Sequence, residues 1–412
     1  MTGRAPAEVA PLVAPPPHVR SRPLSVAASA GYRVRVVDRT ADLPAADWAK
    51  AREVAPSVFM DPRFLATVER AFAAQGRFHH AIVVDRHERP VAWASLCTFP
   101  VDVLTLAGPG LQALASGARA VLPGLGFMRT LFVGLPVSLG QSHLAIAPDA
   151  EPGAVVAALD EALETIAARE RPWLVIWKEF DPAGAARLAP LLARGYRRAE
   201  LPAMHELDVR FKDFADYCGA LKSHYRYDIR RSERKLRASG FRVAQLHDAA
   251  EIRRVYTAPV HRLYEAVVAK SPVKLEVLPI EFFHELVRRL PELVSLTTIA
   301  DGDRIVAFNW GMMDGRVHHY LFCGMDYAVA HDVDLYFNLM YHQLDDALRR
   351  GPERVQVGQT ADAFKARLGC RSTARYFFVK PCGRVAGTAL RHGFDLLFPD
   401  RSPAPVYSVF RS

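Results

Sequence analysis

The sequence predicts a mixed α/β protein made of two copies of one unit, and three observations carry that expectation. The chain has 412 residues, more than one ordinary core takes, which predicts roughly two domains of about 150–200 residues. Strand-like and helix-like segments follow one another in the same order in each half. Each half also places a glycine, Gly195 and Gly369, where a short helix must stop. The repeat divides the chain into a Pro- and Ala-rich arm (1–30) expected to be disordered, a first unit (31–205), a second unit (206–400) with a basic leading helix (221–240), and a tail (401–412).

In the first unit, HHAIVVDRHERPVAWASLCTF (79–99) reads as strand, polar turn, strand. PGAVVAALDEALETIAARERP (152–172) sets Val155, Val156, Leu159, Leu163 and Ile166 at helical spacing. The strand WLVIWKEF, a short helix ending at Gly195 and a final strand follow. The second unit repeats the pattern. FRVAQL opens it, and VSLTTIADGDRIVAFNWGMMDGRVHHYLFCGM (294–325) becomes a three-stranded meander through the turn signals Asp301-Gly302 and Asp314-Gly315. Leu335, Leu339, Tyr341, Leu344 and Leu348 stripe the next helix; RVQVGQT, a short helix ending at Gly369 and a last strand complete the unit. His318 and His319 should alternate sides of their strand, so that no more than one faces the core.

Composition narrows the function. Half the residues are apolar and 24% charged, as in a soluble globular protein. The net charge of +9 favours phosphates, nucleic acid or an anionic membrane as partners. Cys97, Cys218, Cys323, Cys370 and Cys382 show neither CxxC nor metal-ligand spacing, so no disulfide frame and no metal site is expected, and reduced thiols fit a cytoplasmic protein. No window reaches the ~18 uncharged apolar residues of a membrane span, which limits membrane contact to the periphery. The apolar 103–140 stretch is expected to wall an acceptor or acyl pocket.

Seven Lys or Arg fall between Lys222 and Arg237. Arg226, Arg230, Arg234 and Arg237 share one helix face, with Leu221, Tyr225, Ile229 and Leu236 on an apolar face about 100° away. Such a face is either solvated, with Asp228 and Glu233 in partial compensation, or a row of planar forks for phosphate oxygens, Arg226 and Arg230 first. Gln359 and Thr360 stand where a strand meets a helix, a place for backbone donors or a cap, and Thr360 is the expected cap. Tyr320 and Asp326, with His331 and Asp332, are candidate acid/base groups. Cys323 reads as a small apolar core residue. Only Tyr225 and Tyr227 interleave with basic residues, which is weak support for nucleic-acid stacking; DNA is not an expected partner.

The element order, with PSVFMDPRFLATVERA (56–71), the basic helix and VQVGQTADAFKARLG (355–369), resembles the GNAT acyltransferase fold, doubled as in the FemAB-like and BioF2-like tandem families, over about residues 31–390. The resemblance implies two GNAT-like domains, each a mostly antiparallel mixed sheet flanked by helices. It also implies acyl transfer to an amine, with no tightly bound cofactor. Lys365 falls where Fem-type proteins carry a lysine that serves the donor phosphate or the transition-state charge. The segment CGMDYAVAHDVDLYFNLM lacks the glycine-rich pyrophosphate loop of ordinary GNAT enzymes.

Three functions remain open on these grounds. One is an acyltransferase that moves an acyl group from a thioester, acyl-CoA or carrier protein, to a small-molecule or peptide amine. Another is an aminoacyl-tRNA-dependent transferase, with tRNA as partner, although 240–294 holds no long heptad arm. The third is a non-catalytic binding scaffold.

Overall fold

The structure, a computed structural model, describes residues 24–27, 31–102, 117, 118, 122, 125–271 and 277–411. Its strands are β1 (Leu24–Ala27), β2 (Arg33–Val37), β3 (Arg77–Val84), β4 (Pro90–Asp102), β5 (Phe127–Val133), β6 (Leu144–Ile146), β7 (Leu174–Phe180), β8 (Arg197–Asp208), β9 (Arg242–Leu246), β10 (Val294–Asp301), β11 (Arg304–Asp314), β12 (Val317–Met325), β13 (Arg354–Gly358) and β14 (Arg371–Pro381). They form one sheet in the order β1-β2-β3-β4-β5-β7-β14-β8-β13-β12-β11-β10-β9, with β6 beside β4.

That order is a palindrome about the central β14–β8 pair. Outward from it, β7 answers β13, β5 answers β12, β4 answers β11, β3 answers β10 and β2 answers β9. The β5–β7 and β12–β13 pairs are parallel, and every other described pair is antiparallel. The last strands of the halves are exchanged: β14 pairs with β7, and β8 pairs with β13. A division near residue 205 therefore separates the sequence but not the sheet.

The expected elements are present at these positions, including the meander β10–β12 with Gly302 at φ 58° and Gly315 at φ 57° in its turns. Gly195 and Gly369, at φ 87° and 84°, adopt the left-handed conformation that glycine enters without a Cβ clash.

Helices cover both faces of the sheet. On one face, Pro62–Phe72 and Ile280–Arg289 bury Phe64, Leu65, Val68 and Phe72 against Phe282, Phe283, Leu286 and Val287, in one core shared by the halves. On the other face, Pro152–Glu170 covers the first half and Leu335–Arg349 the second. Burial of both faces explains one departure from expectation: His318 and His319 are both buried, at 0% and 6% exposure, because neither side of β12 meets water.

The arm, expected to be disordered, lies outside the described residues except for Leu24–Ala27, which pair with β2 as an edge strand. The tail packs back on the start of the basic helix: Val409 is 2% exposed, Phe410 bridges Leu221, and Lys222 N donates to Val409 O. Of the proposed apolar wall, residues 103–116, 119–121 and 123–124 lie outside the described residues.

Candidate active site at the splayed strands of the second half

Parallel strands β12 and β13 pair only at Val317–Arg354, His318–Val355 and His319–Gln356. β12 then continues to Met325 while β13 stops at Gly358, so the sheet opens between them. β5 and β7 make the matching parallel pair in the first half, from Thr130–Leu174 to Val133–Trp177.

Chain geometry below β13 sets the site. Gly358, Thr360 and Ala361 have φ of 77°, 68° and 56°, and left-handed backbone at the two non-glycine residues costs of order 1–3 kcal/mol each. The bend turns the short helix Asp362–Arg367 so that Lys365 points inward with 3% exposure. Its Nζ donates to Gln359 O at 2.7 Å, and no carboxylate lies within ion-pair distance among the described residues. Cys323 and Cys370 are near enough to act on it electrostatically. Burial pulls the lysine down to about 8, partly offset by Cys370, Asp362 and Cys323; burial likewise pushes Cys323 up to about 11 and Cys370 up to about 12. The thiols are poor nucleophiles, whereas the lysine titrates near neutrality.

A buried polar belt connects this lysine to the first half. Gln359 Nε2 donates to Pro202 O at 2.6 Å and to Glu179 Oε2 at 3.4 Å, and Glu179 also accepts from Ser138 Oγ at 3.3 Å. Burial holds the Glu179 carboxyl above its usual range. His205 Nε2 lies 2.9 Å from Asp362 Oδ1, and the amide of Gln356 bridges Glu206 and Gln141 at 2.7 and 2.8 Å. Arg375 Nε donates to Gly140 O at 2.7 Å. Sequence spacing gave no signal for Glu179, His205 or Arg375, since strand exchange alone brings them to this place.

The other expected site residues are placed differently. Tyr320 is 6% exposed and its hydroxyl donates to Met340 O, so the fold already uses the group expected to act in catalysis. Asp326 pairs with Arg304 at 2.8 Å and accepts Ala328 N at 2.9 Å, which makes it a turn residue. Thr360 does not cap the short helix; the cap position is Ala361, without a side-chain bond. The basic helix runs Ser223–Ala238, with Ile229, Ser232 and Leu236 buried as its stripe predicts. Arg226 donates to Gly219 O at 3.4 Å, Arg234 lies over Tyr227 at 5.7 Å, and Arg230 makes no ion pair among the described residues.

The two long helices that follow a splayed strand start differently. Glu151 accepts Gly153 N and Ala154 N at the start of Pro152–Glu170, the position that an anion takes at a helix N-terminus. Asp334 precedes Leu335–Arg349 without capping it by its side chain, which instead accepts from Ser232 Oγ and Lys235 Nζ of the basic helix, each at 2.9 Å.

Residues 223–366 match the family described as "Acetyltransferase (GNAT) domain". The second half thus contains a segment of the GNAT family. The parallel splay, the meander and Lys365 lie within that segment, and the palindromic sheet repeats its strand order in the first half. A solved structure described as FemX has the same fold, with 12% identity over 81% of this chain and 94% of its own and a TM-score of 0.50. A tandem GNAT protein from the clavulanic acid biosynthesis pathway aligns at 13% identity, 85% and 99% coverage and a TM-score of 0.49. L-PGS from Bacillus licheniformis aligns at 11%, 87% and 98%, with a TM-score of 0.49. No curated protein sequence matches the chain.

Proposed function

We propose that the protein transfers an acyl group from an activated donor to an amine at the β12–β13 splay of its second half, with Lys365 as the charged group of the site. The observation that carries this reading is the buried Lys365, with no carboxylate at ion-pair distance among the described residues, inside the segment that matches the GNAT family. The neutral acceptor amine attacks the acyl carbonyl, the developing oxyanion gains most from a fixed cation in a dry site, and collapse of the tetrahedral intermediate breaks the bond to the donor's sulfur or oxygen, which leaves with the proton that the amine gives up. Lys365 supplies that cation while protonated. Gln359, whose carbonyl holds the ammonium, is a positioning residue.

The donor is a thioester, acyl-CoA or a carrier protein, and the acceptor a small-molecule or peptide amine. Glu151 already takes two backbone donors at the start of Pro152–Glu170, so a coenzyme A diphosphate does not take that seat in the first half. A second reading, transfer from aminoacyl-tRNA, is favoured by the exposed arginines of Ser223–Ala238. Both donors are made inside the cell, which suits the cytoplasm.

The test is acyl transfer from acetyl-CoA, longer acyl-CoAs and aminoacyl-tRNA to a panel of amines. Because the ammonium form is the active one, kcat/KM is expected to fall as pH rises through about 8, and Lys365→Arg is expected to lose that limb. A rate that climbs through the same interval assigns Lys365 to proton abstraction instead. Unchanged turnover in Lys365→Ala removes it from the site.

A further inference from the structure

The helix Arg384–Leu397 carries a second apolar stripe that takes no part in its packing. Its core face buries Ala386, Leu390 and Phe394, the last two in one cluster with Leu174 and Ile176 of β7 and Phe377 and Val379 of β14. At about 100° per residue, Val385, Ala389 and Leu396 fall within about 40° of one another and about 120° from that face. They are turned to solvent, Val385 at 72% exposure and Leu396 at 61%. Arg384 and Arg391 lie about as far from the core face on the other side, so a flat surface laid on the helix from outside meets the apolar stripe and both arginines together.

The surroundings extend the same pattern. Trp173 adjoins Val385 on an open cavity of about 270 Å³ that Arg171, Cys382, Gly383 and Arg384 also line. Of the five tryptophans it is the exposed one, at 46%, whereas Trp48, Trp93, Trp177 and Trp310 are exposed by 1% or less. Leu122 and Leu125, 60% and 37% exposed, precede β5 at the end of the sheet where Arg129 O accepts Trp173 N at 2.7 Å. The guanidinium groups of Arg169, Arg171, Arg384 and Arg391 are exposed and make no ion pair or hydrogen bond among the described residues. Asp395, the one acid of the helix, already pairs with Arg197 at 3.4 Å.

We propose that this face, the stripe Val385, Ala389 and Leu396 with Trp173 and the four arginines, docks the protein on the surface of an anionic phospholipid bilayer. Aliphatic side chains enter the boundary between headgroups and acyl chains, an indole rests at headgroup level with its N–H toward water, and guanidinium forks take lipid phosphates. Unpaired arginines beside an apolar stripe complement a surface that is negative outside and apolar within. Three aliphatic side chains and one indole fall short of the ~800 Å² per partner that a stable protein–protein interface buries, whereas a bilayer sets no such minimum. Among the described residues no helix is long and apolar enough to cross a membrane, so the contact is peripheral. Docking is independent of the acyl-transfer reading, and its test needs no turnover.

The full chain is sedimented with vesicles of phosphatidylcholine alone and of an equal mixture of phosphatidylcholine and phosphatidylglycerol. Binding is expected to the mixture, weak to phosphatidylcholine, and reduced by salt. Bromine-labelled acyl chains are expected to quench the fluorescence of Trp173, the other four tryptophans being buried, and Trp173→Phe to keep binding while losing the quench. Replacing Val385 and Leu396 together by Ser is expected to weaken binding about tenfold, and Arg171→Gln or Arg384→Gln about fivefold each. All these positions are exposed, so melting temperatures stay at the wild-type value. Equal vesicle affinity in the variants overturns the proposal, as does binding without quenching, which assigns adsorption to another basic surface such as Ser223–Ala238. Self-association that the Ser variant abolishes, with no vesicle binding, overturns it in favour of a second copy of the chain.

Discussion

Lys365 costs the fold stability, and that cost is measurable apart from activity. Its proton is lost at about 8 in the folded chain against the usual 10.5, a difference on the order of 3 kcal/mol. Below pH 8 folded and unfolded chains both carry the ammonium and the penalty stands in full; between pH 8 and 10.5 the folded lysine releases its proton first and the penalty fades. Lys365→Met is thus expected to stabilise the protein by about 1–3 kcal/mol at pH 7, with the gain vanishing near pH 10.5, while acyl transfer is lost. Destabilisation at pH 7 in urea titrations would show that the ammonium holds the fold. His79 has the opposite sign. Burial pulls it down, but the hydrogen bonds to Asp38 (2.7 Å) and Glu170 (2.8 Å) carry it up to about 9. Its contribution is complete below pH 6.5 and is lost as pH rises through 9. His79→Gln is expected to cost on the order of 2–3 kcal/mol at pH 6 and little at pH 9.5, and equal losses at both pH values would refute the charged pair.

The C-terminal strap and the Gly369 turn form one device at the scale of elements. Phe410 packs 5.3 Å from the Phe211 ring and 6.2 Å from Tyr217, and a Cβ on Gly369 would meet its ring at 2.4 Å. The strap thereby fixes the end of the lysine's helix against Phe214–Ala220, whose Tyr217 hydroxyl donates to Leu368 O at 3.0 Å. Phe410→Ala is expected to lower stability by roughly 2 kcal/mol, less than a fully buried phenylalanine costs, and to speed amide exchange in Phe214–Ala220. A melting temperature equal to wild type would mean the strap is ornamental. The basic helix teaches a related lesson. Its apolar stripe was legible because a 3.6-residue period places Ile229 and Leu236 on one face whatever they pack against, whereas the bonds of Ser232 and Lys235 to Asp334 were not, because they join residues about a hundred positions apart.

The exchanged strands make the whole molecule one folding unit. A core containing Phe64 and Val68 of the first half with Phe283 and Trp310 of the second lies under both, and β8 and β14 find their partners across the dyad. Thermal unfolding is expected to show one cooperative transition, and a 31–208 fragment, which leaves β8 without β13 and β14, to show none. Two separable transitions in the full chain would restore independent domains.

Element order, turn glycines and the doubling were written in the sequence, since period, turn chemistry and helix caps act within a few residues. Lys365 was legible only through the resemblance to Fem-type proteins, by its place on the short helix after a strand. Its burial was decided by tertiary structure, through the left-handed backbone at Thr360 and Ala361. Tyr320 and Asp326 read as free polar groups until Met340 O and Arg304 came to them from other parts of the fold. By itself, then, the sequence determined two α/β units of a GNAT-like kind. The exchange of β8 and β14, the belt from Glu179 to Lys365 and the tie of Asp334 to Ser232 and Lys235 were settled by tertiary structure alone, because each joins groups far apart in the chain whose pairing energy exists only once the sheet has closed.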